Sequence, residues 1–131
     1  MKTILIIEDN EEIRENTAEL LDINHYHVLS AGNGYTGFEM ARQNQPDLIL
    51  CDMMMPESDG SAFLKLAKND PAIQKVPIIF FSAGTVSIKD QNNLIAAADG
   101  YLKKPFLETE LLSTIQEVMD KRIKQLSLVK F

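Results

Sequence analysis

Three carboxylates and one ammonium stand at the ends of short apolar runs. Glu8 and Asp9 follow Ile4-Leu5-Ile6-Ile7, Asp52 closes Leu48-Ile49-Leu50-Cys51, and Lys104-Pro105 follows Gly100 to Lys103. Such runs read as strands of a parallel sheet, buried on both faces, whose C-terminal ends share one edge. Oxygen ligands gathered there suit a hard divalent cation such as Mg²⁺, and an ammonium beside them suits a phosphoryl group. Closely spaced carboxylates repel, so without a cation at least one pKa is expected to rise. Asp52 is the expected nucleophile towards phosphorus. Lys104 would offset charge on the phosphoryl oxygens, and the Ser82 hydroxyl could hydrogen-bond one of them.

These side chains can meet only if the intervening segments fold as strand-helix units. Thr3–Ile7 is the first predicted strand, and Asn10 is placed to cap a helix with Glu11 and Glu12 in its first turn. Ile13, Thr17, Leu20 and Leu21 give that helix an inward stripe. Val28–Ala31 is a second strand, followed by a Gly32-Asn33-Gly34 turn and a helix carrying Phe38, Met40 and Ala41. Leu48–Cys51 is the third strand. Met55 to Gly60 reads as loop, and a helix with Phe63, Leu64 and Ala67 ends near Asn69-Asp70-Pro71. The run Val76 to Phe81 is a fourth strand, Ile88–Ala98 a weaker helix, Gly100–Lys103 a fifth strand, and Leu107 onwards a final helix reaching Ile123 or beyond. Five β-α units this short imply a parallel sheet with helices on both faces. Glu8, Asp9 and Asp52 meet only if the first and third strands are neighbours, as the order 2-1-3-4-5 provides at its switch point.

Composition narrows the classes. The 131 residues, 45% hydrophobic and 24% charged, suit one domain with a core of its own. A net charge of -6 argues against direct nucleic-acid binding, which needs a basic footprint. One cysteine, Cys51, excludes an internal disulfide and suits a reducing, cytoplasmic setting. The N-terminal apolar run is too short for a signal peptide, and no segment approaches the roughly 20 apolar residues of a membrane span.

At this point the chain resembles the receiver domain of response regulators. The resemblance rests on Glu8-Asp9, on Asp52 followed by Met55-Pro56 and Asp59-Gly60, on Ser82-Ala83, and on Tyr101 with Lys104-Pro105-Phe106. It implies a three-layer, doubly wound, flavodoxin-like α/β fold, whose strand order 2-1-3-4-5 therefore enters with the family. It implies that Asp52 takes a phosphoryl group from a phosphohistidine on a sensor histidine kinase or histidine phosphotransfer protein. Mg²⁺ would be held by Glu8 or Asp9, by Asp52 and by the backbone carbonyl of Met54, with Mn²⁺ as a substitute. Ser82 and Tyr101 would form a switch pair, and the Lys104–Pro105 bond would be cis. A downstream protein would dock on the face formed by the Ile88–Ala98 helix, the fifth strand and the final helix. Residues 1–124 would form the receiver and 125–131 a short tail, as in a stand-alone, non-enzymatic phosphoacceptor that assists its own phosphorylation and dephosphorylation.

Plainer readings stand beside these. An acidic pair after a strand is often only helix N-terminal charge, Tyr101 an amphipathic core residue, and Ser82 a strand-end cap. Cys51 faces away from Asp52 and packs as a small hydrophobe. Met53-Met54-Met55 sits among hard oxygens and is no soft-metal site. His25 and His27 read as surface residues. Lys121, Arg122 and Lys124 read as favourable charge at a helix C-terminus. A haloacid-dehalogenase-like phosphohydrolase would need an acid two residues after the nucleophile, where this chain has Met54. A flavodoxin would need a phosphate-cradling loop after the first strand, where Glu8 to Glu12 would repel phosphate. A pseudo-receiver that only binds partners would be favoured by loss of an acid, the acceptor or the lysine, and none is lost.

Overall fold

The computed structural model describes residues 1–53, 60–82 and 98–129. Its elements are β1 (Thr3–Ile7), α1 (Glu11–Ile23), β2 (His27–Ala31), α2 (Gly34–Asn44), β3 (Leu48–Asp52), α3 (Gly60–Lys68), β4 (Ile78–Ser82), β5 (Gly100–Lys103) and α4 (Glu108–Val129). All five strands are parallel, in the order β2-β1-β3-β4-β5. The expected loop over Met55–Asp59, the Met54 carbonyl, Ala83 and the helix expected over Ile88–Ala98 lie outside the described residues, Ala98 apart. Gly60 opens α3 rather than closing the preceding loop.

The sheet has two apolar faces because its central strands alternate between two cores. Ile4, Ile6, Leu48, Leu50, Ile79 and Phe81 pack with Leu21 of α1 and with Leu111, Ile115, Val118 and Met119 of α4. Leu5, Ile7, Ile49, Cys51, Ile78 and Phe80 pack with Ala41 of α2 and with Phe63 and Ala67 of α3. Each fully buried Leu, Ile or Phe contributes about 1.5–3 kcal/mol, so burial holds β1, β3 and β4, the strands that lead to Glu8, Asp52 and Ser82. Gly37 lets α2 lie close on β1, since a Cβ there would stand 2.5 Å from Ile7 Cδ1.

The helix ends follow local chemistry. Asn10 caps α1, its side chain accepting from the Ile13 N–H at 3.0 Å. Asn33 does the same for α2 through the Thr36 N–H at 2.8 Å. The reading of Lys121, Arg122 and Lys124 as helix-terminal charge needs correction. α4 continues to Val129 and its last turn holds no basic residue, whereas dipole stabilisation fades beyond that turn. No helix among the described residues is long and apolar enough to cross a membrane.

Candidate functional site

Parallel register brings the acids together. Ile7 is level with Cys51 across β1 and β3, so Glu8 and Asp52, one step further on, leave the same edge of the sheet side by side. β4 and β5 bring Ser82 level with Lys103, and Lys104 follows directly. The Lys104 N–H donates to the Ser82 carbonyl at 2.8 Å, which fixes the lysine backbone to the end of β4. The Lys104–Pro105 bond is cis.

Carboxylate oxygens of Glu8, Asp9 and Asp52 lie within 4.8 Å of one another. Glu8 and Asp52 are buried, whereas Asp9 is exposed. Lys104 Nζ lies 3.0 Å from Glu8 Oε2 and 3.4 Å from Asp52 Oδ2, and sits 4.9 Å above the Phe81 ring. The lysine thus bridges two buried carboxylates, its own charge further favoured by the ring face. Glu8 Oε1 also accepts from the Asn10 N–H at 3.2 Å.

Burial raises the Glu8 carboxyl from 4.5 to about 7, with the neighbouring Asp52 charge pushing the same way and the Lys104 hydrogen bond opposing both. Carboxylate repulsion was expected to lift one pKa; desolvation is the larger cause. The donor set fits Mg²⁺: hard oxygens from two strand ends, one acid exposed and two buried, with more negative charge than the single lysine balances.

Ser82 is fully buried at the end of β4, and Tyr101, half-buried on β5, pairs with Phe80, two residues before Ser82 on β4. Cys51 is buried in the core on the α2–α3 face. His25 and His27 are exposed and not among the acids that cluster. Sequence reasoning missed Arg14, whose Nη1 donates to the Glu8 carbonyl at 2.8 Å and so anchors the main chain of the acidic pair to α1. Its position one turn beyond the Asn10 cap was the available signal. The Phe81 ring beneath Lys104 was missed too, because an unbroken apolar strand does not reveal which face a residue takes.

Comparison with known proteins gives concordant results. Residues 4–116 match the family model described as the response regulator receiver domain. The chain is 27% identical to the polar-differentiation response regulator DivK of Brucella anthropi, over 90% of this chain and 96% of that protein. It is 32% identical to histidine kinase P4 of Formosa agariphila, covering 93% of this chain but only 9% of that much longer protein. Among solved structures, the receiver domain of the sensor histidine kinase PA1611 from Pseudomonas aeruginosa superposes with a TM-score of 0.83. The two are 28% identical, with 91% of this chain and 98% of that one covered; that structure holds a magnesium ion in its active-site cleft.

Proposed function

The chain belongs to the response regulator receiver domain family, and on that premise we propose that Asp52 is its phosphoacceptor. Receiver domains are signalling phosphoacceptors that bind Mg²⁺ in an acidic site and interact with histidine kinases and downstream targets. The observation that carries the assignment to Asp52 is its position. It is the acid on the central strand, 4% exposed, with Lys104 at 3.4 Å and two further carboxylates within 4.8 Å.

An Asp52 carboxylate oxygen attacks the phosphorus of a phosphohistidine, the P–N bond breaks, and the imidazole leaves as an acyl phosphate forms on the aspartate. Lys104, already beside Asp52, turns its ammonium to the phosphoryl oxygens and offsets their charge. The Ser82 hydroxyl donates to one of those oxygens. Glu8, Asp9, Asp52 and the Met54 carbonyl would hold Mg²⁺, with Mn²⁺ as a substitute. Bound there, the ion supplies Lewis-acid neutralisation of the phosphoryl charge. The same groups assist hydrolysis of the acyl phosphate, so the domain takes part in its own phosphorylation and dephosphorylation.

Ser82 and Tyr101 act as the switch pair. The burial of Ser82 beside the Lys104 backbone and the half-burial of Tyr101 support this. The signal leaves through β5 and α4, where a downstream protein docks; the Ile88–Ala98 part of the expected face lies outside the described residues, Ala98 apart. The chain's one cysteine, Cys51, is buried in the core and suits a reducing, cytoplasmic setting.

Acetyl phosphate with Mg²⁺, followed by intact-mass measurement, tests the assignment. Wild type gains one phosphoryl mass and Asp52→Asn gains none. Equal labelling of the two would overturn it.

A further inference from the structure

A cavity of about 260 Å³ opens at the opposite edge of the sheet from Asp52, between the starts of β4 and β5 and the C-terminal half of α4. Its lining includes Pro77, Ala98 and Val118, with Lys75, Lys121 and Arg122 as cations and Asp99 as the one acid. In a chain of net charge -6, this reverses the local sign.

Four observations bear on the cluster. The helix dipole does not account for Lys121 and Arg122, because α4 runs on to Val129. Among the described residues, neither they nor Lys75 is ion-paired with a carboxylate. Asp99 keeps its charge against the three cations, with one oxygen turned to β4: its Oδ2 accepts from the Ile78 N–H at 2.9 Å, and its own N–H donates to the Ile78 carbonyl at 2.9 Å. Arg122 is meanwhile held in place, its Nη1 donating to the Lys75 carbonyl. That contact sets Arg122 beside Lys75 on the cavity rim and leaves its other guanidinium donors for a ligand.

We infer that this cavity is an anion-binding site for a small soluble phosphate ligand, engaged by Lys75, Lys121 and Arg122. The concave shape favours a small ligand over an acidic protein surface, which would meet a flatter patch. The volume falls below the roughly 300–1,000 Å³ of pockets for drug-sized molecules, which suits a ligand of few heavy atoms. Arg and Lys donors are the side chains that recognise phosphate oxygens.

Inorganic pyrophosphate, titrated without Mg²⁺ at constant ionic strength, tests this by amide NMR of the full chain. Saturable shifts are expected at Lys75, Asp99, Gly100, Lys121 and Arg122, with affinity at least tenfold weaker in Arg122→Gln. Because Arg122 also holds the Lys75 carbonyl, a Lys75→Met, Lys121→Met variant that spares this bond is titrated beside it; the same weakening is expected. Shifts that never saturate, shifts confined to Glu8, Asp52 and Lys104, or unchanged affinity in both variants would overturn the proposal. So would saturable binding of an acidic glutamate-rich peptide at these residues in place of pyrophosphate.

Discussion

Lys104 lies closer to Glu8 than to Asp52: its Nζ is 3.0 Å from the glutamate oxygen and 3.4 Å from the aspartate oxygen. Without metal the ammonium therefore serves two buried acids, and Glu8 takes the larger share. In Lys104→Met both carboxylates lose that compensation. The loss should fall below the about 3–5 kcal/mol of a stranded buried charge, because Glu8 can take up a proton. Glu8 is already largely protonated at pH 6 in the wild type, so the variant should be destabilised more at pH 8 than at pH 6. Urea unfolding at both pH values, with chelator present, checks this.

The same group sets a pH dependence for the unmutated protein. The Glu8 carboxyl titrates near 7 when folded against 4.5 in its ordinary state. Between those values the folded protein holds a proton that the unfolded chain has released. The Glu8 contribution to metal-free stability should therefore decline as pH rises from about 4.5 to about 7. Mg²⁺ needs the ionised carboxylate, so its affinity should instead rise from pH 6 to pH 8, with proton release. Calorimetric titration in two buffers of different ionisation enthalpy reads both. Removing both acids, in Glu8→Gln, Asp9→Asn, should nearly abolish Mg²⁺-dependent phosphorylation by acetyl phosphate. A normal rate would make the pair merely structural.

Gly37 offers a test of the scaffold separate from the site. Glycine within a helix ordinarily costs about 0.5–1 kcal/mol relative to alanine, so Gly37→Ala should stabilise α2 on propensity alone. The added Cβ would instead meet Ile7 at 2.5 Å from Cδ1 and 2.7 Å from Cγ1, and Ile7 is fully buried. Overpacking of this kind costs about 1–3 kcal/mol, and the clash is expected to win. A higher urea midpoint for the variant would show that Ile7 repacks freely.

The strand ends were legible in the sequence because each apolar run stops at a residue that cannot be buried cheaply: Glu8, Asp52, Lys104. Burial of both faces made the central strands easy to find and their side-chain directions impossible to read, since Ile4 to Ile7 carries no period of two. That is why the pairing of Glu8 with Lys104, and the Phe81 ring under the ammonium, came only from the structure. Arg14 was hidden for another reason. Its partner is a main-chain carbonyl, which no side-chain pattern announces. Lys121 and Arg122 were misread because the length of α4 past Ile123 is set by residues without a strong stop signal, and the dipole argument depends on where the helix ends.

A phosphoryl group on Asp52 can bias a conformation only through contacts that differ between the two states. On the proposed assignment Lys104 is the first such contact, because a phosphoryl group there would draw its ammonium towards new oxygens and away from Glu8. Its N–H is bonded to the Ser82 carbonyl, so a movement of the lysine would be passed to the serine at the joined ends of β4 and β5. Tyr101 lies on the same pair of strands, opposite Phe80, and can follow a displacement of Ser82. Beryllofluoride, standing in for the phosphoryl group with Mg²⁺, should therefore shift amide signals of Ser82, Tyr101 and residues of α4 as well as those of Glu8 and Asp52. In Ser82→Ala the pocket shifts should persist while those at Tyr101 and α4 shrink several-fold. Shifts confined to the pocket in the wild type would mean that no switch is transmitted, and the domain would then act as a relay or sink for phosphoryl groups.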